Sequence, residues 1–304
     1  MQKNRIQKSI IKTLCYSDVF DYPLRKRELW KFLNIRGGIY KKNFENTLNQ
    51  MVIRFMVGEK NGFYFLNGRN KIVKIRLARS KISIVKLKIA KKAAKLLFFI
   101  PTIKLIGISG SLSLKNAKLA DDIDFFIITK SDCLWITRFL VNVLLLLARF
   151  KRSAKDSRGT NLICPNLFMS EDKLLLPAER QNLFSAREIS QVLVLLDREN
   201  MYQRFLSANK WINKLLMNVQ ISAKMNKFTI GTNKITNFVD GVFYAFQFLY
   251  MSNKITGEEV KRKVAYFHPQ DKAKIILKIY KLRYEKYTKD ILQDIDNNFP
   301  ILYI

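Results

Sequence analysis

Apolar residues recur at helical spacing through the first fifth of the chain. Ile6, Ile10, Leu14 and Val19 fall close to the three-to-four step that turns one helix face inward, and Asp21-Tyr22-Pro23 breaks that pattern. Leu24 to Leu33 predicts a second, short helix ended by Gly37-Gly38. Lys42 to Arg54 predicts a third, with Phe44, Leu48, Met51 and Val52 on one side. The period then changes. Two apolar runs between Phe55 and Leu66 flank Asn61-Gly62, a hairpin signal because both turn positions need positive φ. Three helices followed by a hairpin is the order of a winged helix.

Residues 69–99 are basic and periodic and predict one long helix or two, stopped at Pro101. Lys104 to Ser109 and Ile123 to Thr129 read as short strands. Leu134 to Phe150 is the most apolar segment, but it holds Arg138 and Asn142 and is short for a membrane span. It predicts a buried amphipathic helix. Residues 151–160 read as a polar loop and Asn161 to Met169 as a third strand. From about 180 the chain reads as helical, with breaks near 221–236, 252–257 and 267–270. The expected parts are a winged-helix-like module (1–68), a basic helical connector (69–100), an α/β part with a small mixed sheet (101–180) and a helical domain (181–304).

Composition narrows the chemistry. The chain has 304 residues, of which 48% are hydrophobic, enough for real cores. Its formal charge of +31 favours polyanions: nucleic acid, nucleotide phosphates or an anionic membrane surface. Abundant Asn, Ile and Lys would also follow from AT-rich coding, so charge alone does not choose. Cys15, Cys133 and Cys164 are widely separated and fit neither a disulfide framework nor a zinc site, as expected of a cytoplasmic protein. A single histidine, His268, argues against His-based metal sites and a Ser-His-Asp triad. Any metal is expected to be hard and held by carboxylates. No signal peptide and no membrane insertion are expected.

One stretch concentrates chemistry. Ile106-Gly107-Ile108-Ser109-Gly110-Ser111 is followed by ten residues of loop and then Asp122-Ile123-Asp124-Phe125-Phe126-Ile127-Ile128. A glycine lets the backbone approach a ligand, and the Ser111 hydroxyl with neighbouring amides can bind phosphate oxygens. Strand period two puts Asp122 and Asp124 on one face. Two such carboxylates repel unless a cation joins them, and Mg²⁺ suits a site completed by a triphosphate. The bland reading is a surface loop in which Asp121-Asp122 caps a turn. Strand, Gly-Ser, fixed step and Asp-x-Asp together are more specific than a lone Asp-x-Asp.

This pattern resembles the nucleotidyltransferase superfamily with the polymerase-beta-like catalytic fold. Gly110, Ser111, Asp122 and Asp124 carry the resemblance. A resemblance to uncharacterised bacterial proteins with a winged-helix-like N-terminus extends over Tyr16-Ser17-Asp18-Val19-Phe20-Asp21-Tyr22-Pro23, Cys164-Pro165-Asn166, Ala208-Asn209-Lys210-Trp211 and Phe267-His268-Pro269. It implies Mg²⁺ or Mn²⁺ held by Asp122 and Asp124, an NTP whose terminal phosphates meet Gly110-Ser111, and transfer of a nucleotidyl group to an unidentified acceptor. It also implies a third carboxylate on a later strand. The strand expected over Asn161–Met169 has Asn166 there instead, and an amide accepts no proton. Asp156, Glu171 and Asp172 lie outside that strand. A nucleotide-binding regulator with an incomplete metal site is therefore a second reading.

Further residues carry two readings each. Lys41, Lys42 and Arg54 on the third helix could meet DNA, so nucleic acid is an open partner. The lysines and arginines of 71–95 could track phosphates or form a solvated connector face. His268-Pro269 with Asp271 reads better as a cap than as a proton relay. Phe243, Tyr244, Phe246, Phe248 and Tyr250 at helical spacing are expected mostly in the core rather than stacking bases. Arg180, Arg187 and Arg198 include a candidate triphosphate contact.

Overall fold

A computed structural model describes residues 2–35, 37–151, 161–221, 233–252, 259–266 and 271–298, with side chains of the last segment described from 272 to 289. In chain order the elements are α1 (Gln2–Asp18), β1 (Leu24–Arg25), α2 (Lys26–Lys31), α3 (Lys41–Ile53), β2 (Val57–Lys60), β3 (Phe63–Leu66), α4 (Lys71–Leu97), β4 (Ile103–Ile108), α5 (Gly110–Ser113) and β5 (Ile123–Thr129). There follow α6 (Leu134–Leu147), β6 (Ile163–Ser170), α7 (Leu183–Ser190), β7 (Leu193–Asp197), α8 (Met201–Ala208), α9 (Lys234–Ser252), β8 (Glu259–Lys261), β9 (Val264–Tyr266) and α10 (Asp271–Asn298). The class is mixed α/β, with one sheet of three strands and one of six. Two compact units form: Met1–Leu77 with Trp211–Gln220 and Ala273–Ile304, and Ala78–Lys210 with Ile221–Lys272.

In the first unit the expected hairpin closes through Asn61 (φ 55°) and Gly62 (φ 74°), which pairs β2 with β3. The expected helix from Leu24 begins instead as a strand, because Leu24 and Arg25 pair with Tyr64 and Phe63. Glu28 then starts α2 by accepting the Arg25 N–H at 2.8 Å. Its other oxygen takes the Tyr22 hydroxyl at 2.7 Å and Arg76 at 2.9 Å. Buried Asp18 accepts Arg69 and Arg283. The Tyr16–Pro23 stretch is thus structural: its carboxylate and phenol bind this unit together.

In the second unit the sheet order is β7-β4-β5-β6-β9-β8. β5 and β6 run parallel, so the chain must cross back between them, and α6 lies on that return. Ile123, Phe125 and Ile127 of β5 share one core with Trp135, Val141 and Leu145 of α6 and with Ala90, Ala93, Ala94 and Leu97 of α4. Small residues at that spacing let the α4 backbone approach the sheet. Phe126 points the other way, onto Phe205 of α8 at 5.0 Å between centroids. Both faces of β5 are covered, which is why it reads as an apolar run rather than an alternation. Each large side chain buried here contributes about 1.5–3 kcal/mol.

The stretch from 181 departs from its helical expectation. β7 pairs with β4, and the β8–β9 hairpin extends the sheet beyond β6. Leu193–Asp197 is too short for its period to separate a strand from a helix turn, and pairing with Ile106 and Ile108 decides it. Three of the five aromatics expected mostly in the core of α9 are also turned out: Phe246, Phe248 and Tyr250 are exposed. Among the described residues no helix is long and apolar enough to cross a membrane.

Candidate functional site

β4 and β5 are antiparallel neighbours, so the end of β4 and the start of β5 meet at one edge. Ser109 donates its N–H to the Asp124 carbonyl at 3.1 Å, and the chain turns at once into the single turn α5. Gly110 makes that turn with φ +65°, a region that side chains rarely adopt. A Cβ there would lie 3.3 Å from the Asp124 carboxylate. Gly110-Ser111 and Asp124 are therefore adjacent, as the spacing in sequence implied. Asp122 is exposed immediately before β5.

The Ser111 hydroxyl has an internal partner, donating to Asp121 Oδ2 at 2.9 Å. The same oxygen accepts the Lys118 N–H at 2.9 Å, so Asp121 caps a turn and Asp122 does not share that role. The loop between Ser111 and Asp122 is held from one side by α4. Arg79 Nη1 reaches Asn116 Oδ1 at 3.4 Å, Ser83 Oγ accepts the Ala117 N–H at 3.1 Å, and Lys86 binds the Leu119 carbonyl at 3.0 Å. Lys86 also donates to the Asp121 carbonyl and to Asn161 Oδ1, so all three ammonium protons have acceptors. Its side chain is fully buried. Burial lowers its pKa, opposed by the negative charges of Asp121 and Asp122. In the basic helix 71–95 the i, i+4, i+7 face of Arg79, Ser83 and Lys86 is thus a loop clamp.

Asn166 stands beside Asp124, donating Nδ2 to Asp124 Oδ1. The parallel register explains how it gets there. Asp124 lies opposite Cys164 and Phe125 opposite Pro165, but Phe126 lies opposite Leu167, so Asn166 is an extra residue. Pro165 has no N–H for the ladder, and a bulge re-aims the next side chain. The Cys164 thiol donates to Asn166 Oδ1 at 2.7 Å. Burial, then the charges of Asp124 and Asp122, push the Cys164 thiol up to about 11, so it stays protonated at neutral pH.

No protein-family model, no curated protein and no solved structure matches the chain. What the site can do must come from its own geometry.

Glu188 of α7 is the group that sequence reasoning missed. Its Oε2 accepts the Gly110 N–H at 3.1 Å, while Oε1 takes Gln191 at 2.7 Å. Nothing in Ser185–Gln191 marks it, since 78 residues separate it from the glycine. The other acidic candidates are elsewhere. Glu171 is paired with Arg204 at 3.1 Å and accepts the Ser131 N–H, and Asp172 is bound by Lys263 and Ser170. Both follow the far end of β6, about 16 Å along the strand from the Asp124 level. Asp156 and His268-Pro269, and the side chain of Asp271, lie outside the described residues. Arg180 is paired with Glu259, and Arg198 binds the carbonyls of Phe98, Ile100 and Ile103. Arg187 is buried on α7.

Among the described residues no group of three or more His, Cys, Asp or Glu side chains is arranged to hold a metal. The donors at hand are hard carboxylate oxygens. Mg²⁺ commonly takes only one or two of these and fills its octahedron with water and phosphate oxygens. Asp124 and the exposed Asp122 supply oxygens of that kind.

Proposed function

We propose that the chain is a Mg²⁺- or Mn²⁺-dependent nucleotidyltransferase that moves a nucleoside monophosphate from an NTP to an acceptor. The observation that carries this reading is the contact between Gly110 and Asp124. A left-handed glycine, with its amide at the mouth of a tight turn, sits 3.3 Å (at its Cβ position) from a strand carboxylate. Phosphate recognition and cation recognition are needed together for a polyphosphate, and both are assigned to this edge in this reading.

Asp122 and Asp124 would hold the cation, which when bound neutralises charge building on the phosphates. The Gly110 amide would donate to a phosphate oxygen once Glu188 yields it. Ser111 would supply its hydroxyl to a second oxygen in place of Asp121. The acceptor oxygen bonds to the α-phosphorus as the bond to the bridging oxygen breaks, its hydroxyl proton passes to water, and pyrophosphate leaves. Residues 1–68 would act as a winged-helix-like module, and the 181–304 region would shape the acceptor site.

A second reading, a nucleotide-binding regulator, is favoured by Asn166. An amide bound to Asp124 takes no proton from an acceptor. Titration calorimetry with Mg-ATP tests the site: equal affinity in Asp122→Ala/Asp124→Ala removes both readings. Incubation with α-labelled NTPs, Mg²⁺ and cell extract separates them. Label transfer lost in Asp124→Ala supports the enzyme, and binding without transfer supports the regulator.

A further inference from the structure

Helix α9 has two apolar faces. One packs inward, partly buried, through Phe243, Tyr244 and Met251, with Tyr244 packing on Trp135 at 5.0 Å. The other carries Ile235, Phe238, Val242, Ala245, Phe246 and Leu249, all exposed. At 100° per residue these six span about 100° of the helix and about 21 Å of its length. Phe238 and Leu249 are each 73% exposed, more than scattered surface residues require. On α6, which packs on α9 through the Phe139 and Phe243 rings at 5.2 Å, Phe139, Leu140, Leu146 and Leu147 are exposed as well. A helix apolar on opposite faces is normally covered on both.

Charge selects what covers it. The one carboxylate of α9, Asp240, is turned inward, where it accepts the N–H groups of Trp135 and Ile136. Basic residues lie at the ends and side of these helices: Lys234 begins α9, exposed Arg149 follows α6, and Arg262 binds the Asn237 carbonyl of α9, whereas its neighbour Lys261 is paired with Glu259. A second copy would bring the same basic rim and the same +31 charge against this one. An anionic bilayer offers apolar depth to the stripe and negative headgroups to the rim in one contact.

We propose that the outward faces of α9 and α6 seat the protein on an anionic lipid surface, with α9 lying in the plane of the headgroups. This inference is independent of the nucleotide site. Its test is flotation of the full chain with phosphatidylcholine vesicles, with and without phosphatidylglycerol, at low and high salt. The wild type should float with the mixed vesicles and release at high salt. Phe238→Ser/Phe246→Ser/Leu249→Ser should lose about tenfold or more in partition coefficient while keeping its far-UV circular dichroism. Because these side chains are exposed, the substitutions spare the core. Salt-insensitive binding, equal binding by the triple variant, or no binding by the wild type overturns the proposal. So does a wild-type dimer that the triple variant converts to monomer without any vesicle binding, which would assign the face to a second copy.

Discussion

Lys86 offers the most direct test of how the loop before Asp122 is held. In Lys86→Met the stem volume is roughly kept and the ammonium is removed. Three acceptors lose their donor: the carbonyls of Leu119 and Asp121 and the side chain of Asn161. A charge-assisted hydrogen bond contributes about 1.5–3 kcal/mol, and three together exceed the several kcal/mol regained by not burying an ion. The loop is on the surface, so its carbonyls recover water only by moving. A net loss of about 2–4 kcal/mol is expected, concentrated in residues 115–121. Urea denaturation followed by circular dichroism measures the global part. Hydrogen exchange measures the local part at the amides of Ala117, Lys118 and Asp121, which bond to Ser83 Oγ, Asp121 Oδ2 and the Lys118 carbonyl. If those amides exchange as slowly in the variant as in the wild type, Lys86 is not the clamp described. Mg-ATP affinity should fall in the same variant, because the loop delivers Asp122.

Three further predictions follow from the same geometry. Gly110→Ala forces a side chain into the left-handed region, costing about 1–2 kcal/mol, and sets a methyl against the Asp124 carboxylate; a lowered Tm with weakened Mg-ATP binding is expected, and a wild-type value for both would refute the strained-turn account. Asn166→Asp replaces the donor facing Asp124 with a like charge; the metal-free variant should melt below the wild type, and added Mn²⁺ should raise its Tm more than the wild type's. Burial pushes Glu28 up, but the Arg76 charge and the hydrogen bonds from Arg76, Arg25 and Tyr22 outweigh it and hold the carboxyl below the usual 4.5. A depressed carboxyl stabilises fully above 4.5 and loses that contribution as pH falls through the folded value. Glu28→Gln should therefore be less stable at neutral pH and show a shallower acid limb, read by circular dichroism against pH.

Local patterns in the sequence were enough to place the pieces that depend on near neighbours. Asn61-Gly62 determined a hairpin, because few residue pairs tolerate two positive φ angles in succession. The bounds of β5 were legible from Ile123 to Thr129 because an apolar run ends at polar Lys130. Gly110 and Asp124 were legible as neighbours because two adjacent antiparallel strands bring their near ends together. What escaped was decided by partners far along the chain. Leu193–Asp197 is a strand only because the edge of β4 was open to it. Asn166 reaches Asp124 only because Pro165 breaks the ladder with β5, a consequence of register that composition does not show. Glu188 sits on the Gly110 amide through a helix that no local signal ties to the glycine. Lys86 looks like one lysine among many in a basic helix, and burial under a loop 33 residues away makes it the one with three acceptors. The sequence by itself thus determined the strand–turn units and the acidic pair, through backbone preference and period. Only the tertiary structure decided which distant side chains complete and hold the site, because those contacts depend on the packing of elements that the chain order does not bring together.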